Sequence, residues 1–515
     1  MIVIMKAISK YLTLALLMVS ALQSCALDSE IYSDINPSIY PTTERDARDM
    51  VTSNGYGAFR NNGYDGLFNA ATGVHLNTDM ASDYGYCSWD DGGTWRRLVS
   101  ASYGPADTRN VTNIWRDYLN YISKMTLTIS RISEMNISED VKTQLIAELR
   151  CGRGFLAFII YDLYGPIIVA DVETLKKPQV EQILPRQTDE QTREFIVTEL
   201  TEAAKVLPAS YKKGDPDYGR FTRGLCHTVL LKFYMQTKQW DKAITEAREL
   251  MKPEYGYALV PEYRDIFTEA NEKNEETIWA VNCKHGYMAH KWFPHALPNN
   301  YTGYSGGWGG YKMIWKFFKT FEDGDKRKET IIYEYSYMGK DKQGKDSLII
   351  LNEQNKGEGG NSLAHGVMPL KYDVVSSDVI GENGQTDWIV YRYADVLTLL
   401  AEAIVRKDNA ITGEAVGLLN QVRTRAGLKA YSESDFASSR DFLDKLLMER
   451  GHEFYFEGCR RQDLIRDGSY VDKMNEKRAD FGWATPEVTN DQILFPLQES
   501  AIIEGQGIVK QNPGY

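Results

Sequence analysis

Six apolar positions constrain the fold most. Trp240, Ala243, Ile244, Ala247, Leu250 and Met251 fall at relative positions 0, 3, 4, 7, 10 and 11, one stripe of a 3.6-residue period. A second stripe, Leu225, Val229, Leu230, Phe233 and Tyr234, precedes it, with only Thr237-Lys238-Gln239 between the two helices. Two helices joined that tightly must lie side by side and antiparallel. Tyr234, Trp240 and Ala243 stand at positions expected of a tetratricopeptide unit. A second hairpin reads Tyr393, Val396, Leu397, Leu400, Ala403 and Ile404. It turns at Lys407-Asp408-Asn409, continues with Ala415, Leu418, Leu419, Val422 and Ala426, and stops at Gly427. Further helical runs cover roughly 109–134, 138–164, 187–206 and 435–467, with Pro166, Pro208 and Gly468 as punctuation. Thr42 or Thr43 offers an N-cap to a helix with Glu44 and Asp46 in its first turn.

The expected fold is therefore mainly α. Tetratricopeptide-like hairpins form a scaffold over about 40–254 and 389–470. Residues 255–388 between them are rich in Gly, Asn, Asp and aromatics, and read as a large irregular insert with short β-hairpins. One hairpin is expected to pair 330–335 with 348–351 across a turn at 339–344. A loop-rich insert of that length inside a compact domain is usually functional.

The N-terminus reads as an export signal. Lys6 and Lys10 precede an apolar stretch at 11–22, too short for the roughly 20 residues a bilayer needs. Leu22-Gln23-Ser24-Cys25 resembles a bacterial lipobox, with an apolar residue at −3 and a small one at −1. Residues 1–24 then form a lipoprotein signal peptide and 25–515 a single mature domain, with Cys25 carrying the lipid. Several acyl chains on one residue anchor stably, at about 0.8 kcal/mol per buried CH₂. The other five cysteines, Cys87, Cys151, Cys226, Cys283 and Cys459, are widely spaced, form no CxxC pair and read as buried thiols. The formal charge of −12 repels phosphate backbones and argues against nucleic acid as a partner.

Two clusters of aromatic residues stand in Gly-rich, loop-like segments. Residues 283–318 hold ten rings in 36 positions, where the overall 12% predicts about four. They are interleaved with Gly303, Gly306, Gly307, Gly309 and Gly310 and with Asn299-Asn300. Residues 84–103 add Tyr84, Tyr86, Trp89, Trp95 and Tyr103, with Asp83, Asp90 and Asp91 close by. Exposed rings beside Asn and Asp suit a sugar, whose axial C–H face stacks on a ring while its hydroxyls need paired donors and acceptors. The competing reading is that such rings seal loops against the core. Trp315, Phe317 and Phe318 sit in a helical-looking run and belong to it.

No catalytic pattern accompanies these clusters. His452-Glu453-Phe454-Tyr455-Phe456 lacks the second histidine of a zinc-protease helix, and no nucleophile elbow, phosphate loop or dinucleotide fingerprint appears. His285, His290 and His295, spaced five apart, share no helical face and suggest no metal site; Asp323-Gly324-Asp325 reads as a turn. No cofactor is implied. Glu449, Arg450, Glu453, Glu457, Arg460, Arg461, Asp463 and Arg466, with Arg392, Asp395, Glu402, Arg423 and Arg425, read as ion pairs that lock helix packing.

The same segments carry a resemblance. They include Tyr391-Arg392-Tyr393-Ala394-Asp395-Val396-Leu397, Asn420-Gln421-Val422-Arg423-Thr424-Arg425-Ala426-Gly427 and Leu447-Met448-Glu449-Arg450-Gly451-His452-Glu453-Phe454. Phe456-Glu457-Gly458-Cys459-Arg460-Arg461-Gln462-Asp463-Leu464 and the terminal Gln511-Asn512-Pro513-Gly514-Tyr515 follow. Upstream, Ala147-Glu148-Leu149-Arg150, Tyr161-Asp162-Leu163-Tyr164-Gly165-Pro166 and Gly219-Arg220-Phe221-Thr222 agree. In this order the blocks resemble the SusD/RagB family of outer-membrane nutrient-binding lipoproteins. Cys151-Gly152-Arg153-Gly154 departs from the family's plainer helix, and Cys459 stands where His is common.

The resemblance implies a scaffold of four helix pairs with the insert as ligand face, and a non-enzymatic, lipid-anchored protein on the cell surface at the outer membrane. It implies that the protein captures oligo- or polysaccharide and forms a lid over a TonB-dependent, SusC-like transporter that imports it. The alternative is a peptide-capturing lid, or a pure assembly partner that binds no sugar. Within this expectation the stacking candidates are Trp89, Trp95, Trp292, Tyr301 and Tyr304, and the hydrogen-bonding candidates Asn77, Asp79 and Asn300.

Overall fold

The computed structural model describes residues 41–60, 73–107, 113–177, 182–284, 286–304, 306–374, 379–380, 383–483 and 486–515. The signal segment, Cys25 and His285 lie outside them. No described helix is long and apolar enough to cross a membrane.

Helices Asn113–Glu134, Glu139–Tyr164, Asp189–Ala204, Arg223–Gln236 and Trp240–Leu250 each pack on the next in chain order. The stack does not end at the insert. Trp240–Leu250 packs directly on Tyr393–Asp408, which packs on Gly413–Arg425 and on Ser439–Glu453. The guanidinium of Arg406 lies over the Trp240 ring at that junction, and Arg248 bridges to Glu414. The two hairpins read from periodicity are thus neighbours in space, and the residues between them loop out from the seam.

Local sequence sets the helix ends. Thr43 and Asp46 form a reciprocal capping box on Glu44–Met50, and Thr188 with Gln191 does the same on Asp189–Ala204. Ser138, Thr222, Thr412 and Ser438 each accept from the third helical amide. Gly427, at φ 81°, follows Gly413–Arg425 as the left-handed stop. Gly154 explains the departure in the Cys151-Gly152-Arg153-Gly154 block. A Cβ there would sit 2.8 Å from Leu200 Cγ, so the glycine is what lets Glu139–Tyr164 approach Asp189–Ala204.

Two boundaries differ from expectation. The run at 435–467 is two helices, Ser439–Glu453 and Arg460–Asp467, because Phe456 and Gly458 adopt positive φ. The helical part also continues past 470, with Tyr470–Asp480 packed on Arg460–Asp467.

The insert is closed at its base by antiparallel pairing of Thr277–Val281 with Trp388–Arg392. Its hairpin turn lies where the sequence puts it, with Gly344 at φ 79° and the Asp341 carboxylate accepting the amides of Gln343 and Lys345. The first strand, however, is Tyr335–Lys340, paired with Asp346–Leu351 in the register Tyr335↔Leu351. Ile331–Ile332 pairs instead with Met368–Pro369. The alternation explains the shift: Tyr335 and Leu351 turn inward while Met338 and Leu348 face solvent.

The charged segments form a buried network. Arg392 reaches Glu276, Glu453 and Glu457; Arg425 reaches Glu276 and Glu453; Arg327 reaches Asp325 and Glu449. Arg450 joins Asp395 to Asp463, and Arg466 binds Glu402. The insert is thereby bonded to the helices through residues far apart in sequence. Cys87, Cys151, Cys226 and Cys459 are buried free thiols and Cys283 is half-buried; the sulfurs of Cys151 and Cys226 lie 3.5 Å apart.

Candidate functional site

The two aromatic clusters meet through a short ladder. Gly85–Cys87 pairs antiparallel with Tyr311–Met313, and Ser88 N donates to Gly310 O at 2.8 Å. This places the 84–95 loop on the 292–313 loop.

At the junction stand two half-buried indoles, Trp89 and Trp308, with ring centroids 6.3 Å apart and planes at 55°. Trp89 Nε1 donates to Trp308 O at 3.1 Å. The main chain of Trp308 is held in turn by Pro294, whose carbonyl accepts Trp308 N at 2.7 Å. Glycines on both sides make the arrangement possible. A Cβ on Gly310 would lie 2.4 Å from the Trp89 ring, and one on Gly307 would lie 2.3 Å from Leu297 O. His295 backs both indoles edge-on, at 5.4 Å and 4.9 Å. Burial pushes its imidazole down to about 4, so it is a neutral ring at physiological pH. Lys291 Nζ lies 5.7 Å from the Trp308 centroid, a cation–π contact at the rim.

Asn300 and Tyr301 stand on the same insert loop, before Trp308 in the chain. Tyr301 is half-buried and packs on Tyr335 at 5.9 Å. Asn300 Oδ1 accepts from Tyr335 OH at 3.2 Å, and Asn361 accepts Asn299 N at its Oδ1 and Tyr335 OH at its main-chain oxygen. An amide has two donors and two acceptor lone pairs, so Asn300 keeps capacity for a ligand hydroxyl.

The structure corrects five of the eight sequence candidates. Trp292 is 1% exposed, enclosed by Trp388, Tyr311 and Phe456; Trp95 is 4% exposed, beneath Trp89 and Tyr311. Tyr304 is buried against Phe293. None of the three presents a ring face to solvent. Asn77 and Asp79 are buried as well. Asp79 accepts the amides of Gly458 and Arg460, bridging the break between two helices, and burial raises its carboxyl to about 7. Trp89, Tyr301 and Asn300 are each half-buried. Trp308, one of the ten rings of the 283–318 cluster, stands beside Trp89; its sequence signal is the glycine pair on either side. Residues His290 and His295 are both buried within ring contacts, and the described residues hold no group of three or more His, Cys, Asp or Glu side chains suited to a metal.

The arrangement can stack flat apolar faces and offer amides at their edge. Comparisons with known proteins agree with the architecture. Residues 275–515 match the family model of the SusD family, and 31–235 match that of starch-binding proteins associating with the outer membrane. A SusD-like protein of Bacteroides ovatus is 23% identical over 438 residues, 79% of this chain and 74% of the relative. Surface glycan-binding protein A of Bacteroides thetaiotaomicron, solved with laminarihexaose, superposes with a TM-score of 0.72 at 21% identity, covering 92% of this chain and all of that one. A laminarin-binding SusD-like protein gives 0.70 at 19% identity over 92% of this chain and all of its own.

Proposed function

We propose, since this chain belongs to the SusD family, that it is a non-catalytic cell-surface protein that captures oligo- or polysaccharide. In this reading it hands the glycan to a TonB-dependent outer-membrane transporter, SusC-like, over which it sits as a lid. A lipid on Cys25 holds it at the outer membrane. The observation that carries the reading is the Trp89–Trp308 pair: two half-buried indoles fixed by a shared hydrogen bond and a ring backing. A pyranose C–H face gains dispersion and electrostatic contact on such rings without any group being ordered first. The structural neighbours that hold laminarihexaose or bind laminarin support a glycan over a peptide. An open stacking surface leaves much of the ligand wet, so the protein alone is expected to bind in the micromolar-to-millimolar range, about −4 to −8 kcal/mol.

Calorimetry of the mature protein against soluble polysaccharides tests this, with products analysed after incubation. The reading predicts saturable binding of at least one polysaccharide with no turnover. Release of shorter products would overturn the non-catalytic assignment. Retention of glycan by the co-purified transporter alone would reduce this chain to an assembly partner.

A further inference from the structure

Two thiols face each other inside the helix stack. Cys226 Sγ donates to Cys151 Sγ at 3.5 Å, and both side chains are fully enclosed. Cys283 and Cys459 instead donate to the main-chain oxygens of Val281 and Glu457.

The pair sits on a fixed seam. Cys151 belongs to Glu139–Tyr164 and Cys226 to Arg223–Gln236, two helices that pack on each other although they are not consecutive. Two turns further along, Phe158 meets Phe233 edge-on at 6.4 Å, and next to it Gln236 Nε2 donates to Asp162 at 3.1 Å. These contacts join residues 75, 75 and 74 apart in sequence, so the two helices run parallel in one register. On the other side of the thiols, Glu148 takes Arg220 Nη2 on both oxygens, at 2.7 and 3.0 Å. Gly152, beside Cys151, permits the close approach: a Cβ there would lie 3.0 Å from the Phe221 ring. A bond between the sulfurs needs them to move together by about 1.5 Å, to the roughly 2.05 Å of a disulfide.

We propose that Cys151 and Cys226 form a disulfide in the exported protein, joining covalently the second and fourth long helices of the stack. The oxidant is a protein disulfide of the compartment the chain enters on export, where thiols are not kept reduced. One thiolate attacks a sulfur of that disulfide and breaks its S–S bond, giving a mixed disulfide and one free oxidant thiol. The second thiolate then displaces the remaining oxidant sulfur. The two protein thiols lose two protons and two electrons, and the oxidant gains them as two thiols.

Burial, followed by the contact with Cys226, pushes the Cys151 thiol well up, so the closed core holds too little thiolate for exchange. The step therefore belongs to the folding chain, while both sulfurs are still wet. The bond closes a loop 75 residues long and so restricts the unfolded chain, which favours the folded state. The inference rests on the export read from the N-terminus and is independent of the glycan.

The test compares two preparations of the mature chain carrying Cys25→Ser. One is exported to the periplasm of a bacterial host by that host's own signal, and the other is made in a reducing cytoplasm. Both are alkylated in denaturant without reductant, digested and mapped by mass spectrometry. The exported chain is expected to give one disulfide-linked peptide pair, Cys151 with Cys226, and alkylated Cys87, Cys283 and Cys459. The cytoplasmic chain is expected to be alkylated at all five. The exported chain should also melt roughly 3–10 °C higher, a difference that Cys226→Ala abolishes. Alkylation of both Cys151 and Cys226 in the folded, exported chain overturns the proposal, as does a bond from either of them to another cysteine. An equal melting temperature in a chain mapped as linked overturns the stabilising role. None of these readouts uses a glycan, so a failure of the glycan reading leaves them standing.

Discussion

Trp89 donates its indole N–H to the main-chain carbonyl of Trp308 at 3.1 Å, joining loops 219 residues apart in sequence. The rings beneath this pair differ from it in role. Trp95 and Trp292 are enclosed and fill volume, so their removal leaves cavities. Trp95→Ala and Trp292→Ala are expected to lower the unfolding free energy by about 3–5 kcal/mol each, read by chemical denaturation. Trp292→Phe, which keeps most of the volume, should retain glycan affinity. A stable Trp292→Ala protein with selectively lost binding would return this ring to the ligand surface.

Arg392 bridges Glu276, Glu453 and Glu457 with every partner buried. Burial opposes ionisation of Glu453, yet Arg425, Arg392 and Arg327 hold its carboxyl down to about 2; Glu402, beside Arg466 and Arg406, is likewise held to about 2. Carboxylates depressed in the fold contribute stability above their ordinary value near 4.5 that is lost as pH falls toward 2. Glu453→Gln should cost about 3–5 kcal/mol at neutral pH, since it leaves buried guanidiniums uncompensated, and should flatten the acid limb of the stability profile. An unchanged acid limb would contradict the assignment.

Lys312 lies opposite Tyr86 in the ladder that joins the two loops, fully buried, and its ammonium has no hydrogen-bond partner among the described residues. Burial pushes it down to about 7, with Cys87 opposing. The folded state therefore binds this proton less readily than the unfolded chain. Stability from this group is present above its ordinary value of 10.5 and is lost as pH falls toward 7. Lys312→Met is expected to raise the melting temperature, by more at pH 6 than at pH 10. A variant destabilised equally at both pH values would show that the lysine is satisfied.

Four of the five described cysteines are enclosed, and burial raises the thiols of Cys151 and, to about 12, of Cys459. A thiol reagent should therefore leave Cys87, Cys151, Cys226 and Cys459 unmodified in the native, reduced mature protein and label all of them in denaturant. Fast native labelling of more than Cys283 would mean that the helix stack opens locally.

The helices were legible because an apolar stripe and a capping residue are local signals. Thr43, Thr188 and Gly427 act where the chain alone places them. The ion-pair network was legible in kind, since so many charges at helical spacing have to be paired, but its partners were not. Glu276 and Asp325 come from the insert and declare nothing locally. Burial of loop rings was the least legible. Trp292 and Trp308 stand in the same Gly-rich cluster, and only the pairing of Gly85–Cys87 with Tyr311–Met313 decides which of them faces inward. Asp79 misled for a related reason: an acidic residue near an aromatic cluster looks like a sugar ligand until the positive-φ break at Phe456 and Gly458 claims it.

The central claim is that the Trp89–Trp308 pair receives the glycan. It is tested most directly by the affinity of Trp308→Ala for the polysaccharide that the wild-type protein binds, measured by calorimetry beside a melting curve. The account predicts at least tenfold weaker binding, about 1.4 kcal/mol, at a nearly unchanged melting temperature. Wild-type affinity in a Trp308→Ala protein that remains folded would contradict it.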